Sequence, residues 1–214
     1  MQRLSPFVLV LSFVLACQPA TQKTAPATDT ERKVLLFFGN SLTEGYGVEA
    51  AESFPAQVRQ KVDSAGFAYE VVIAGASGET SAGGRQRISW LLEQQQIDVF
   101  VLELGANDGL RGIDPESTRR NLQDILDQVL SKNPKAAVVI AGIKVPPTQG
   151  PDYAEKFEIL FRELAMVNHT AFIPFLLKGV AGNEALMLPD GIHPNAEGHR
   201  VVAENVWKVV KEVL

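Results

Sequence analysis

The sequence predicts a three-layer α/β/α sandwich around a central, mainly parallel five-stranded sheet. Two observations carry this. Short apolar runs alternate with longer stretches of helical spacing along the whole chain. The short runs are also apolar at successive positions, as strands covered on both faces must be. A chain of 214 residues holds one well-buried domain and is too short for two comfortable ones.

Lys33-Val34-Leu35-Leu36-Phe37-Phe38, ending at Gly39, is the first strand. Ser53 to Gly66 places Phe54, Val58 and Val62 on one helical face, and Gly66 stops the helix. Tyr69 to Ile73 is the second strand. Gln86 to Gln95 is helical, with Ile88, Leu91 and Leu92 inward, and Val99-Phe100-Val101-Leu102 is the third strand. Asp114-Pro115 opens the next helix with a capping carboxylate and a proline at the first helical position; Leu122, Ile125, Leu126 and Val129 form its inner stripe. Ala136 to Ala141 is the fourth strand, Tyr153 to Val167 a helix, and Ala171-Phe172-Ile173 a short fifth strand. Pro194-Asn195 precedes a last helix carrying Val201, Val202, Val206, Val209 and Val210.

The formal net charge of -5 is spread along the chain without a basic stripe, which argues against nucleic acid as a partner. The start of the chain reads differently from the rest. Arg3 supplies positive charge, and the apolar run Phe7 to Ala16 is too short to span a bilayer. It ends in Val14-Leu15-Ala16-Cys17, the layout of a secretory signal peptide. Residues 1–16 are therefore assigned to a signal peptide and 17–32 to a flexible tether rich in Thr, Ala, Pro and Gln. Cys17 is the only cysteine, and the segment resembles a bacterial lipoprotein signal, in which cleavage before the cysteine is followed by its lipidation. An ordinary signal peptide with an incidental cysteine is the competing reading. The expected location is the cell envelope, periplasm or outer membrane, with a membrane contact through the lipid on Cys17. A lipidated Cys17 leaves no thiol for a disulfide, a metal or catalysis.

Four polar motifs interrupt the apolar pattern: Gly39-Asn40-Ser41-Leu42-Thr43, Gly78 within Ala76-Ser77-Gly78-Glu79-Thr80, Gly105-Ala106-Asn107-Asp108, and Asp190-Gly191-Ile192-His193-Pro194. The first three follow strands, so a parallel sheet gathers them at its carboxyl edge, where ligands bind in such folds. Together they hold a serine, a histidine, a carboxylate and three potential oxyanion donors, the parts needed for acyl transfer through a serine. Ser41 is the candidate nucleophile. His193 is the candidate base, with Asp190 three residues earlier to orient its imidazole. The N–H groups of Ser41 and Gly78 and the side-chain amide of Asn107 are the candidate oxyanion hole. Each residue alone fits a turn or a cap, and only the set points to this chemistry. His169, at a helix end, and His199, inside the last helix, rank below His193 because neither carries a carboxylate motif.

These four motifs, with Glu103-Leu104-Gly105-Ala106-Asn107-Asp108-Gly109-Leu110-Arg111-Gly112 and Asp190-Gly191-Ile192-His193-Pro194-Asn195, resemble those of the SGNH (GDSL-type) hydrolases, and within them the bacterial thioesterase I / lysophospholipase / arylesterase group. The resemblance covers residues 33–214. It implies acyl ester hydrolysis without metal or cofactor, with the family's roles on Ser41, Gly78, Asn107, Asp190 and His193. There is one departure: the family's first motif usually has aspartate before the serine, and here it is Asn40. Asparagine keeps the size and hydrogen-bonding capacity but loses the charge. It is expected to alter how the nucleophile loop is tied down, with a modest effect on rate.

Asn40, Leu110, Arg111, Ile113, Val145 and Pro146 are expected to line an acyl-binding groove, against the competing reading of two ordinary surface loops. The expected substrates are lysophospholipids or short acyl esters, since export argues against acyl-CoA, and the expected working unit is a monomer. A carbohydrate O-deacetylase on the same fold, a non-catalytic envelope-binding protein, and a flavodoxin-like nucleotide binder remain alternatives. The last is weakened by the absence of a phosphate-loop lysine in Gly39 to Gly47.

Overall fold

A computed structural model describes residues 32–214. The signal peptide assigned to residues 1–16, the lipidation site Cys17 and the tether before Arg32 lie outside the described residues. Five strands, β1 (Lys33–Gly39), β2 (Tyr69–Gly75), β3 (Val99–Glu103), β4 (Ala137–Ala141) and β5 (Ala171–Ile173), form one sheet in the order β2-β1-β3-β4-β5. Every pair is parallel, with Phe37 beside Ile73 on one side and Val101 on the other. The apolar runs are buried on both faces: Leu35, Leu36, Phe37 and Phe38 are all fully enclosed, as are Phe100 and Ile140.

Helices cover the two faces. The major ones are α2 (Phe54–Ser64), α3 (Ser81–Gln94), α5 (Pro115–Lys132), α6 (Pro151–Val167) and α7 (Ala196–Val210). α2 packs on α7, while α3, α5 and α6 pack side by side. Each begins where the chain supplies a cap or a proline. Ser53 accepts from Ala56 N–H, Thr80 from Gly83 N–H, Asp114 from Glu116 and Ser117, and Asn195 from Gly198. Such caps contribute about 1 kcal/mol each. α3 begins at Ser81, five residues before the expected Gln86, where Thr80 caps it; Gly84 lets this first part pack closely, since a Cβ on it would come within 2.3 Å of Leu104.

From β1 the chain passes first to β2 at the edge and then returns to β3 on the other side of β1. Connections leaving β1 and β3 therefore diverge, which opens a crevice at the carboxyl ends of these two strands. The motif residues Ser41 and Asn107 stand on single-turn helices there, α1 (Ser41–Glu44) directly after β1 and α4 (Ala106–Leu110) after β3.

Candidate active site

α1 starts because Asn40 caps it, its Oδ1 accepting the N–H of Leu42 at 2.9 Å, and ends at Gly45 in the left-handed region with φ of 85°. This tight turn leaves Ser41 7% exposed at the end of β1, with its hydroxyl turned to the last loop of the chain. Ser41 Oγ lies 2.8 Å from Nε2 of His193, and Nδ1 of His193 lies 2.7 Å from Oδ2 of Asp190. The other carboxylate oxygen of Asp190 accepts the backbone N–H groups of Ile192 and His193, at 2.9 and 3.0 Å. Burial opposes the charge on Asp190, but hydrogen bonds from the His193 ring and backbone and from Ile192 outweigh it and hold the carboxyl down to about 2. The acid is thus ionised at neutral pH.

The histidine loop is fastened on both sides. Leu188 N–H donates to the carbonyl of His193 at 2.7 Å, Pro194 bridges to Met187, and Asn195 caps α7. The ring of Tyr46 lies against the imidazole, with centroids 4.6 Å apart, and the N–H of Tyr46 donates to the carbonyl of Ser41 at 3.0 Å.

Gly78 adopts φ of 76° in the turn after β2. The N–H groups of Ser41 and Gly78 take no part in the backbone bonds that close the neighbouring turns, among the described residues. Asn107 Nδ2 donates one proton to the carbonyl of Glu79 at 3.0 Å, which leaves its second proton available. Glu79 is itself gripped by Arg87, whose Nε and Nη2 reach its two carboxylate oxygens at 2.8 and 2.6 Å. Behind this loop the buried carboxylate of Asp108 accepts the N–H of Ser81 at 2.8 Å and the hydroxyl of Thr118 at 3.3 Å.

A cleft of about 390 Å³ opens beside Ser41 and His193. Its lining is mostly apolar: Leu42, Ala106, Leu110, Ile143, Val145, Pro146, Phe175, Leu177, Met187 and Ile192, with Asn40 and Asn107 at the floor. Leu110, Val145 and Pro146 stand where a groove was expected. Arg111 and Ile113 do not line it. The Arg111 guanidinium turns onto the carbonyl of Gly78 at 3.1 Å, and Ile113 is drawn back by Tyr153, whose hydroxyl donates to its carbonyl at 2.7 Å. Neither tryptophan lines the cleft: Trp90 is exposed on α3 and Trp207 packs on Phe67.

Asn40 is 1% exposed and its side chain is fully engaged, which suits a tether of the turn better than a substrate contact. Its partner is Glu103, the last residue of β3 and fully buried. A lone charge closing an apolar run is the sequence signal for Glu103, which stands one residue beyond the strand expected over Val99 to Leu102. His169, at φ of 51° after α6, is remote from the cleft lining, and His199 is buried in α7, with Nδ1 accepting the N–H of Phe54 at 3.2 Å.

Residues 37–201 match the GDSL-like lipase/acylhydrolase family. The chain is 36% identical over 206 residues to esterase TesA of Pseudomonas aeruginosa, covering 96% of this chain and 98% of that protein. It is 36% identical over 190 residues to thioesterase 1/protease 1/lysophospholipase L1 of Escherichia coli K12, covering 89% of this chain and 87% of that protein. Among solved structures, the psychrotrophic esterase EstA of Pseudoalteromonas sp., inhibited by monoethylphosphonate, superposes with a TM-score of 0.79 at 28% identity, covering 84% of this chain and 97% of that one.

Proposed function

The chain belongs to the GDSL-like lipase/acylhydrolase family and is an acyl ester hydrolase of the SGNH type; we propose that it works through Ser41, His193 and Asp190, with the oxyanion held by Ser41, Gly78 and Asn107. The observation that carries this reading is the unbroken relay from Asp190 through His193 to Ser41, at 2.7 and 2.8 Å.

Nε2 of His193 takes the hydroxyl proton as Ser41 Oγ bonds to the acyl carbon. The carbonyl electron pair moves onto oxygen, which three donors receive: two backbone N–H groups and the free proton of the Asn107 amide. When the tetrahedral species collapses, the bond to the leaving group breaks and His193 returns the proton to it. Water then repeats the sequence on the acyl-serine, with His193 again as base. Asp190 stays ionised throughout and fixes which imidazole nitrogen faces the serine. Tyr46 covers one side of the imidazole, so the ring keeps its orientation through both half-reactions.

The apolar cleft suits an acyl chain longer than acetyl and offers little to a sugar hydroxyl. The substrate class is therefore a simple acyl ester or a lysophospholipid, and the place of action is the cell envelope, with Cys17 as lipid anchor. A Cys17→Ser protein that stayed in the membrane fraction would exclude that anchor. Hydrolysis of p-nitrophenyl esters from acetyl to palmitoyl, with Ser41→Ala alongside, tests the rest. Turnover that depends on Ser41 and peaks beyond acetyl is the expected result. A peak at acetyl alone points to a deacetylase, and wild-type turnover by Ser41→Ala removes the serine mechanism.

A further inference from the structure

Glu103 is fully buried, yet it is hydrogen-bonded to Asn40 and Thr43, which stand before and after Ser41 in the chain. Its Oε1 accepts from Asn40 Nδ2 at 2.9 Å. Its Oε2 accepts from Asn40 N–H at 3.3 Å, Thr43 N–H at 3.2 Å and Thr43 Oγ1 at 2.7 Å. The approach depends on Gly39, where a Cβ would come within 2.2 Å of Thr43 Oγ1 and 2.5 Å of Glu103 Oε2. We propose that Glu103, as a carboxylate, is the positioning residue that holds Ser41 in register with His193, and that the neutral amide of Asn40 is what makes a lone carboxylate fit there. This rests on the reading of Ser41 as nucleophile.

The donor census supports it. Two of the four donors are backbone N–H groups and cannot reverse. The Asn40 amide cannot reverse either, because its Oδ1 already accepts from Leu42 N–H. Only the Thr43 hydroxyl can turn round. The position therefore demands a group that accepts at both oxygens, and an ionised carboxylate is that group. A glutamine would set an NH₂ against the NH₂ of Asn40, and flipping Asn40 would move the conflict to Leu42. An aspartate at 40 beside Glu103 would make two carboxylates share a proton.

Burial pushes the Glu103 carboxyl up to about 7, even with the bonds from Thr43 and Asn40 working to lower it. The groups facing it from β1 and α1, Asn40 and Thr43, are neutral. On the α3 side, the Arg87 guanidinium reaches the Gly39 carbonyl at 3.4 Å, and beyond Ser41 stands His193. Protonation of Glu103 leaves its O–H one acceptor, Thr43 Oγ1, at the expense of the bond that hydroxyl now donates. The turn is then held less firmly. The acid limb of activity accordingly includes the ionisation of Glu103.

The test is kcat and KM against pH for wild type, Glu103→Gln, Asn40→Asp/Glu103→Gln and Thr43→Val, with thermal melting of each and Ser41→Ala as reference. Glu103→Gln is expected to lower kcat on the order of ten- to a hundredfold with KM little changed, and its acid limb to lose one ionisation. The double variant moves the charge to position 40, where it accepts from the amide introduced at position 103, and is expected to recover most of the loss. Thr43→Val removes one donor and is expected to move the acid limb to higher pH. Glu103→Gln with wild-type kcat and limb, a double variant no better than Glu103→Gln, or an unmoved limb in Thr43→Val would each overturn the proposal. The last still decides the matter if Glu103→Gln does not fold. An active Ser41→Ala would instead overturn the nucleophile assignment beneath it.

Discussion

The carbonyl of Glu79 accepts the side-chain amide of Asn107 at 3.0 Å, so the residue after Gly78 sets the direction of the amide proposed as the third oxyanion donor. Two motifs separated along the chain thereby form one rigid unit. Arg87 holds that unit to the sheet, gripping Glu79 while Nη2 also donates to the carbonyl of Ala74 at 3.1 Å.

Removing the donor and removing its support have different signatures. Asn107→Ala is expected to lower kcat by about a hundred- to a thousandfold with KM nearly unchanged. Arg87→Met leaves the donor in place but frees Glu79. It is expected to cost less in kcat than Asn107→Ala, and about 2 kcal/mol in stability through loss of charge-assisted bonds. Steady-state kinetics and denaturant melts of both variants check this. Equal kcat losses in the two would mean that Arg87 acts on the reaction directly.

Two buried groups give stability opposing slopes with pH. Burial lowers His199 to about 4, with repulsion from His193 adding and Glu52 opposing. The folded state then binds fewer protons than the unfolded chain between the ordinary histidine value and about 4, and stability falls as pH drops through that window. Glu103, raised to about 7, works the other way: the folded state binds more protons, and stability falls as pH rises from the ordinary glutamate value to about 7. Between about pH 4.5 and 6.5 the two largely cancel. Removing His199 as His199→Phe is expected to expose a stability that declines with rising pH, while Glu103→Gln exposes one that rises. Chemical denaturation across this range reads both slopes, and parallel profiles in the two variants would contradict the assignment.

Leu110 stands 37% exposed at the mouth of the cleft, within its lining. Leu110→Ala is expected to lower kcat/KM for octanoyl esters about tenfold and to leave acetyl esters nearly unchanged, because only the longer chain reaches the lost side chain. A uniform loss across chain lengths would place the acyl group elsewhere.

The strands and the five main helices were legible because burial on both faces leaves continuous apolar runs, and because Asp114-Pro115 and Asn195 announce helix starts. The first half of α3 was not, because Gly83 and Gly84 bring no apolar side chain to its helical spacing, although Gly84 lets the helix pack closely on Leu104. The single turns α1 and α4 are too short for any periodicity to reveal them. The candidate site could be read as residue types in order, Ser41, Gly78, Asn107, Asp190 and His193, and the structure joins Ser41, His193 and Asp190 by hydrogen bonds. What spacing did not convey was side-chain direction. Arg111 sits in the right loop and turns its guanidinium to the carbonyl of Gly78. Tyr46 reaches His193 across the fold, and Glu103 serves Asn40 and Thr43 from another strand. Such contacts depend on three-dimensional register.

The most direct test of the serine mechanism is the intact mass of the domain after exposure to an alkyl phosphonate ester carrying a good leaving group. One adduct per chain is expected, located at Ser41, absent in Ser41→Ala and formed much more slowly in His193→Ala. An adduct on another residue, or one that forms equally in Ser41→Ala, would contradict it.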